Sequence, residues 1–123
     1  MKDLKVLIVE DDLIIGEDLS ISVNQMGCQV LGIAIDVAEA LEYLQKQETD
    51  LALIDINLAG AQNGIELAQI INSQYQIPFI FITSHSDKAT RTQAQQTRPR
   101  AFLVKPFDLN KVRDAIHMAL KKQ

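Results

Sequence analysis

Four places in this 123-residue chain hold side chains suited to handling charge: the acidic run Glu10-Asp11-Asp12, the carboxylate of Asp55, the hydroxyl of Thr83 and the ammonium of Lys105. Each follows or closes a short apolar stretch. The stretches are Val6-Leu7-Ile8-Val9, Leu51-Ala52-Leu53-Ile54, Phe79-Ile80-Phe81-Ile82 and Phe102-Leu103-Val104. Carboxyl groups brought to one spot cannot all stay ionised unless a cation joins them. The donors are hard oxygens, with no His or Cys among them, which selects a magnesium-like ion that keeps some of its waters. Asn57, two residues past Asp55, can add a backbone carbonyl. A carboxylate nucleophile, a divalent ion, a hydroxyl and a lysine form a set suited to holding a phosphoryl group, where positioning and charge neutralisation do most of the catalytic work. The competing account has Glu10, Asp11 and Asp12 merely capping the helix that follows and complementing its dipole. Taken alone, the acidic run does not choose between the two.

These groups meet only if strands carry them to one edge. Apolar runs at residues 4–9, 28–35, 51–56, 79–82 and 101–104 predict five strands. The third lacks alternation, as expected of a strand covered on both faces, and it leaves Asp55 at its carboxyl end. Helical periodicity fills the intervals. Ile15, Leu19, Val23 and Met26 form an apolar face that stops at Gly27; Asp36 with Glu39 opens a second helix whose stripe is Val37, Leu41 and Leu44. Asn63 with Glu66 opens a third, from Gly64 to about residue 73, and Asp108 caps a last one in which Leu109, Val112, Ile116 and Ala119 or Leu120 face inward. The stretch 86–97 offers only Ala89 and Ala94 as apolar residues, so its helix is expected to be short, irregular or mobile. Strict β-α alternation implies a parallel sheet between two helix layers, with right-handed crossovers. Two strand orders satisfy that pattern. If the first and third strands are neighbours, the carboxylates converge in the crevice where the order reverses.

Composition bounds the rest. The length suits one domain, residues 1–123, and 47% hydrophobic with 23% charged residues is ordinary for a globular protein. A net charge of −4 argues against direct nucleic-acid binding, which needs a basic face. No apolar run is long enough to span a membrane, and the Met1 start shows no secretory leader, so a cytoplasmic location is expected. The single Cys28 excludes an internal disulfide and is read as a small buried hydrophobe. Lys121-Lys122 reads as a solvated helix end, and His117 as surface.

The chain resembles the receiver domains of two-component response regulators. The resemblance spans essentially the whole length and rests on Val6-Leu7-Ile8-Val9-Glu10-Asp11-Asp12, on Asp55 closing Leu51-Ala52-Leu53-Ile54, on Thr83-Ser84 and on Lys105-Pro106-Phe107. It implies a flavodoxin-like, doubly wound α/β fold: a five-stranded parallel sheet of order 2-1-3-4-5 with five flanking helices. It makes Asp55 the phosphoacceptor, Asp11 a direct ligand of Mg2+, Glu10 a ligand through water and Asn57 a main-chain ligand, with Asp12 one place outside the usual acidic pair. Thr83 would turn toward the phosphoryl group, Lys105 would pair with a phosphoryl oxygen, Phe102 would be the switch aromatic, and Lys105-Pro106 would be cis. The implied partners are a sensor histidine kinase or phosphotransfer protein, and a downstream protein or output domain on the face of helix four, strand five and helix five.

Two segments depart from the family pattern. The loop Asn57-Leu58-Ala59-Gly60-Ala61-Gln62-Asn63-Gly64 lacks the usual Met-Pro pair and carries one extra residue. Thr97-Arg98-Pro99-Arg100-Ala101 stands where many receivers carry Gly-Ala; Arg98 and Arg100 are read as exposed, solvated arginines, the alternative being a small basic spot for a partner. His85, two residues past Thr83, is close enough to affect water at the site, or is an exposed loop histidine without a role. The function expected is a phosphorylation switch that is not a turnover enzyme. Its rivals are an aspartate-nucleophile phosphatase, disfavoured by Asn57 where such enzymes place a second acid, and a receiver-like module that works without phosphorylation.

Overall fold

Each of the five apolar runs forms a strand in the computed structural model, which describes residues 3–84 and 88–121. The strands are β1 (Lys5–Val9), β2 (Gln29–Ala34), β3 (Leu51–Asp55), β4 (Phe79–Ser84) and β5 (Ala101–Lys105). All pairings are parallel and the order is β2-β1-β3-β4-β5, the flavodoxin-like order. β3 lies at the centre and is buried at every residue, which is why its sequence needs no polar alternation. The edge strands β2 and β5 are only partly covered.

Five helices cover the two faces: α1 (Leu13–Gln25), α2 (Val37–Lys46), α3 (Gly64–Ile70), α4 (Lys88–Gln95) and α5 (Leu109–Leu120). On one face Leu19 and Val23 of α1 and Val112, Ile116 and Ala119 of α5 pack on Val6, Ile8, Leu53 and Ile80. On the other, α2, α3 and Ala94 of α4 pack on Leu7, Val9, Ile54 and Phe81. The helix starts follow their capping residues: Asp36 accepts from Glu39 N, Asp108 from Lys111 N, and Asn63 and Glu66 bond reciprocally in a capping box. At the end of α5 it is Ala119 that is buried, while Leu120 is exposed. Among the described residues no helix is long and apolar enough to cross a membrane.

Two features differ from the expectation. The third helix does not run uniformly to residue 73; α3 gives way to a π-helical turn, Ile71–Tyr75, that ends on Gln76 in the left-handed region at φ 58°. The turn inserts one residue into the ladder and carries Asn72 to where its amide donates to Thr97 O at 2.7 Å, tying this helix to the segment after α4. The fourth helix is short, as expected, an eight-residue element in which Ala94 is the one buried residue. Arg91 adds a second attachment, its guanidinium lying 4.5 Å from the Phe102 ring centroid on β5. Lastly, Arg100 is not a solvated arginine, because its Nη1 donates to the carbonyls of Ala119 and Lys121 and closes the carboxyl end of α5.

Candidate functional site

Strand register decides which side chains can meet. Val9 pairs with Ile54, Asp55 with Ile82, Thr83 with Val104 and Ser84 with Lys105. Glu10 therefore leaves β1 level with Asp55 at the end of β3, and Thr83 stands one step further on β4. Lys105 starts two steps beyond Asp55 and reaches back with its long stem. Its Nζ lies 3.5 Å from Glu10 Oε1 and 3.7 Å from Asp55 Oδ2. These groups occupy the carboxyl ends of the strands beside the point where the order reverses, the crevice in which open α/β sheets hold ligands.

The acidic run divides its labour. Asp12 caps α1, its Oδ1 accepting from Ile14 N and Ile15 N, so the capping account is right for that residue alone. Glu10 turns inward to 0% exposure and accepts from Asp12 N at 3.2 Å. Asp11 remains exposed, yet one oxygen from each of Glu10, Asp11 and Asp55 lies within 4.8 Å of the others. Asn57 donates its backbone N–H to Asp55 Oδ1 at 3.0 Å, orienting that carboxylate. Glu10 Oε1 is buried and makes no hydrogen bond, although Lys105 faces it. A buried acid oxygen without a hydrogen bond, beside two more carboxylates, is a donor set that a hard divalent cation fits.

Burial pushes the Glu10 carboxyl up to about 8, with the neighbouring Asp55 carboxyl adding to the rise. The folded protein then holds this proton more tightly than the unfolded chain does. The penalty is absent below the ordinary carboxyl value of 4.5 and complete once pH passes about 8. Without divalent cations, stability should fall across that window, by on the order of 5 kcal/mol at most. Denaturant melts at stepped pH, with a chelator and then with added magnesium, check this: the slope should flatten when the cation is present.

Thr83 is buried and shares a face of the sheet with Phe81 and Phe102, whose rings lie 6.0 Å apart. Phe102 is half-buried, between the Phe81 ring and the Arg91 guanidinium. The Lys105-Pro106 bond is cis. His85 lies outside the described residues, as does Lys122. His117 is exposed and Cys28 is buried, its thiol pushed up by burial.

Gly64 opens α3 as expected, and the reason for a glycine there lies in the packing. A Cβ there would run into the Asp55 carbonyl oxygen and press on Asp55 C and Ile56 Cα, each at 3.0 Å. The first residue of α3 sits directly on the strand end that carries Asp55, and Gly64 N donates to Ile56 O at 3.1 Å. Those neighbours are backbone and cannot swing aside. Gly64→Ala should cost about 2–3 kcal/mol in a chemical melt and shift the Asp55 backbone resonances. Tolerance of alanine would mean that the strand end can move.

The model of the response regulator receiver domain matches residues 6–117. Among similar proteins, the transcriptional regulatory protein PdtaR of Mycobacterium tuberculosis is 30% identical over 118 residues, 96% of this chain and 57% of that protein. The sensory transduction protein LytR of Staphylococcus haemolyticus is 34% identical over 93% of this chain and 44% of its own length. The chain thus spans about half the length of the curated relatives it matches. Among solved structures, the signal receiver domain of a modulated diguanylate cyclase from Desulfovibrio desulfuricans superposes with a TM-score of 0.88 at 36% identity, covering 96% of this chain and 94% of that one. The chemotaxis response regulator CheY4 of Vibrio cholerae gives 0.87 at 25% identity, covering 97% and 100%.

Proposed function

The chain belongs to the response regulator receiver domain family, and from that footing we propose that it accepts a phosphoryl group on Asp55 from the phosphohistidine of a sensor kinase or phosphotransfer protein. Residues 1–123 form one receiver domain in this reading. The convergence of Glu10, Asp11 and Asp55 within 4.8 Å, with Lys105 against two of them, carries it. An Asp55 oxygen attacks phosphorus, a P–O bond forms as the P–N bond to the donor histidine breaks, and the leaving imidazole takes a proton. Asn57 N–H holds the carboxylate in place through Oδ1, leaving Oδ2 on the Lys105 side as the attacking atom. Lys105 balances charge on a transferred phosphoryl oxygen, as a mobile point charge suits.

Magnesium is the cation whose chemistry the oxygen-only donors match, and when bound it neutralises the crowded acids and the incoming phosphoryl oxygens. Glu10, Asp11, Asp55 and the Asn57 carbonyl would hold it. The product adds negative charge beneath Thr83, which supports Thr83 as the hydroxyl that turns toward it and Phe102 as the neighbour that responds. α4, held by little apolar surface, is the element able to shift, and the α4-β5-α5 face would present the change to a downstream protein or output domain. The domain is not a turnover enzyme in this reading, and its setting is cytoplasmic.

The test is intact mass after incubation with acetyl phosphate, with and without magnesium, alongside p-nitrophenyl phosphate hydrolysis. One phosphoryl group gained only with magnesium, and no sustained hydrolysis, is expected. Sustained hydrolysis would instead mark a phosphatase. No gain from any donor would leave a module that acts without phosphorylation.

A further inference from the structure

The overall charge of −4 hides a strong segregation. Residues 1–87 carry three basic and fourteen acidic side chains, whereas residues 88–123 carry nine basic and two acidic ones. The fold turns that split along the chain into a split across space. β2 is one edge of the sheet, flanked by α1 and α2; β5 is the other edge, flanked by α4 and α5. The edges lie roughly 19 Å apart, four strand spacings. The β2 end exposes Glu17 and Asp18 on α1 and Glu42 on α2. The β5 end presents Lys88 and Arg91 on α4, Arg98 after it, and Lys111, Arg113 and Lys121 on α5. Arg100 and Lys105 are already engaged, the first with α5 carbonyls and the second with Glu10 and Asp55. Among the described residues none of the other six makes a salt bridge, and the acids beside them in sequence are Asp87, Asp108 and Asp114.

Both ends also expose apolar side chains. Ile14 is 78% and Ile21 57% exposed, and with Glu17 and Asp18 they follow i, i+3, i+4, i+7 spacing along one stripe of α1. Ile35 is exposed at the end of β2, and Met118 and Leu120 are exposed on α5. Charge of opposite sign can orient an encounter, and apolar contact can hold it.

We infer that two copies of this chain dock head to tail, the β5 edge of one against the α1-β2-α2 edge of the next. A two-fold pairing of β5 edges would set like charges against like. A heterologous contact avoids that and leaves one free end of each kind, so association proceeds to short open chains unless a capping partner stops it. This goes beyond the phosphoacceptor reading and does not depend on it, since none of the residues offered for docking lies in the acidic crevice.

Sedimentation of the intact protein tests it at about 0.01 M ionic strength, where the Debye length is about 30 Å, and at about 0.15 M, where it is about 8 Å. The average mass should rise with concentration in the first buffer and fall back toward monomer in the second. Two surface variants decide the geometry. Lys88→Gln/Lys111→Gln/Arg113→Gln and Glu17→Gln/Asp18→Asn/Glu42→Gln should each stay monomeric alone, and mixed they should form a 1:1 pair and nothing larger, because each retains one working end. A monomer at every concentration in low salt overturns the inference, as does salt-insensitive dimerisation or self-association of either variant alone. Absence of self-association with saturable binding of polyglutamate through Lys88, Lys111 and Arg113 would also overturn it, in favour of a different acidic partner for the β5 edge.

Discussion

Asp55→Asn should take up no phosphoryl group from any donor, and it should do so without losing its fold. The amide has nearly the volume of the carboxylate, and its oxygen can still accept the Asn57 N–H that Oδ1 accepts now. What disappears is the nucleophile, because an amide oxygen is a far weaker attacking group than a carboxylate. The substitution also removes one of the carboxylates crowded around the buried Glu10. In the presence of a chelator near pH 8 the variant should therefore be at least as stable as the native chain, since the like-charge repulsion is gone. Intact mass and a chemical melt on the same sample read both effects. A variant that failed to fold would say nothing of chemistry, but it would contradict the isosteric argument. A variant that still gained a phosphoryl group would move the acceptor elsewhere.

Lys105→Ala should slow phosphoryl uptake from acetyl phosphate by about two to three orders of magnitude while leaving Asp55 as the acceptor. Among the described residues Lys105 is the one cation within 4 Å of both Glu10 and Asp55, and it sits in a partly buried crevice where its charge is worth more than in water. Loss of a single preorganised donor to a developing oxyanion typically has an effect of about that size. Lys105→Arg should recover only part of the rate, because a planar fork on a bulky head cannot reach back along the same path from two residues up the strand. Single-turnover uptake followed by intact mass separates the outcomes. Native-like rates in the alanine variant would show that neutralisation comes entirely from the cation held by the acids.

The strands were legible because each is a short, largely apolar run, and the helix starts because Asp36, Asn63 and Asp108 are followed at the right distance by the groups they bind. Asp55, Thr83 and Lys105 stand out in the sequence because each is a polar residue at or next to the end of an apolar strand, and the structure places all three at strand ends. The division of the acidic run was not, since Glu10, Asp11 and Asp12 offer the same functional group and only the turn into α1 decides which points inward. Strand order also needed more than the alternation of elements. The π turn escaped notice because Ile71–Tyr75 keeps a helical appearance in sequence, and the contact that goes with it, Asn72 to Thr97 O, spans 25 residues. Arg100 was misread for a similar reason, as the carbonyls it binds lie 19 and 21 residues away. Long-range partners of this kind leave no local pattern.

The most direct test of the central claim identifies the bond itself. The native chain would be treated with acetyl phosphate and magnesium, reduced with borohydride, digested and mapped by mass. An aspartyl phosphate is an acyl phosphate, which hydride reduces to the alcohol, so homoserine should appear at position 55 and at no other. Reduction at Glu10 or Asp11 in place of Asp55, or a phosphoryl group that resists borohydride and resides on another residue, would contradict the account.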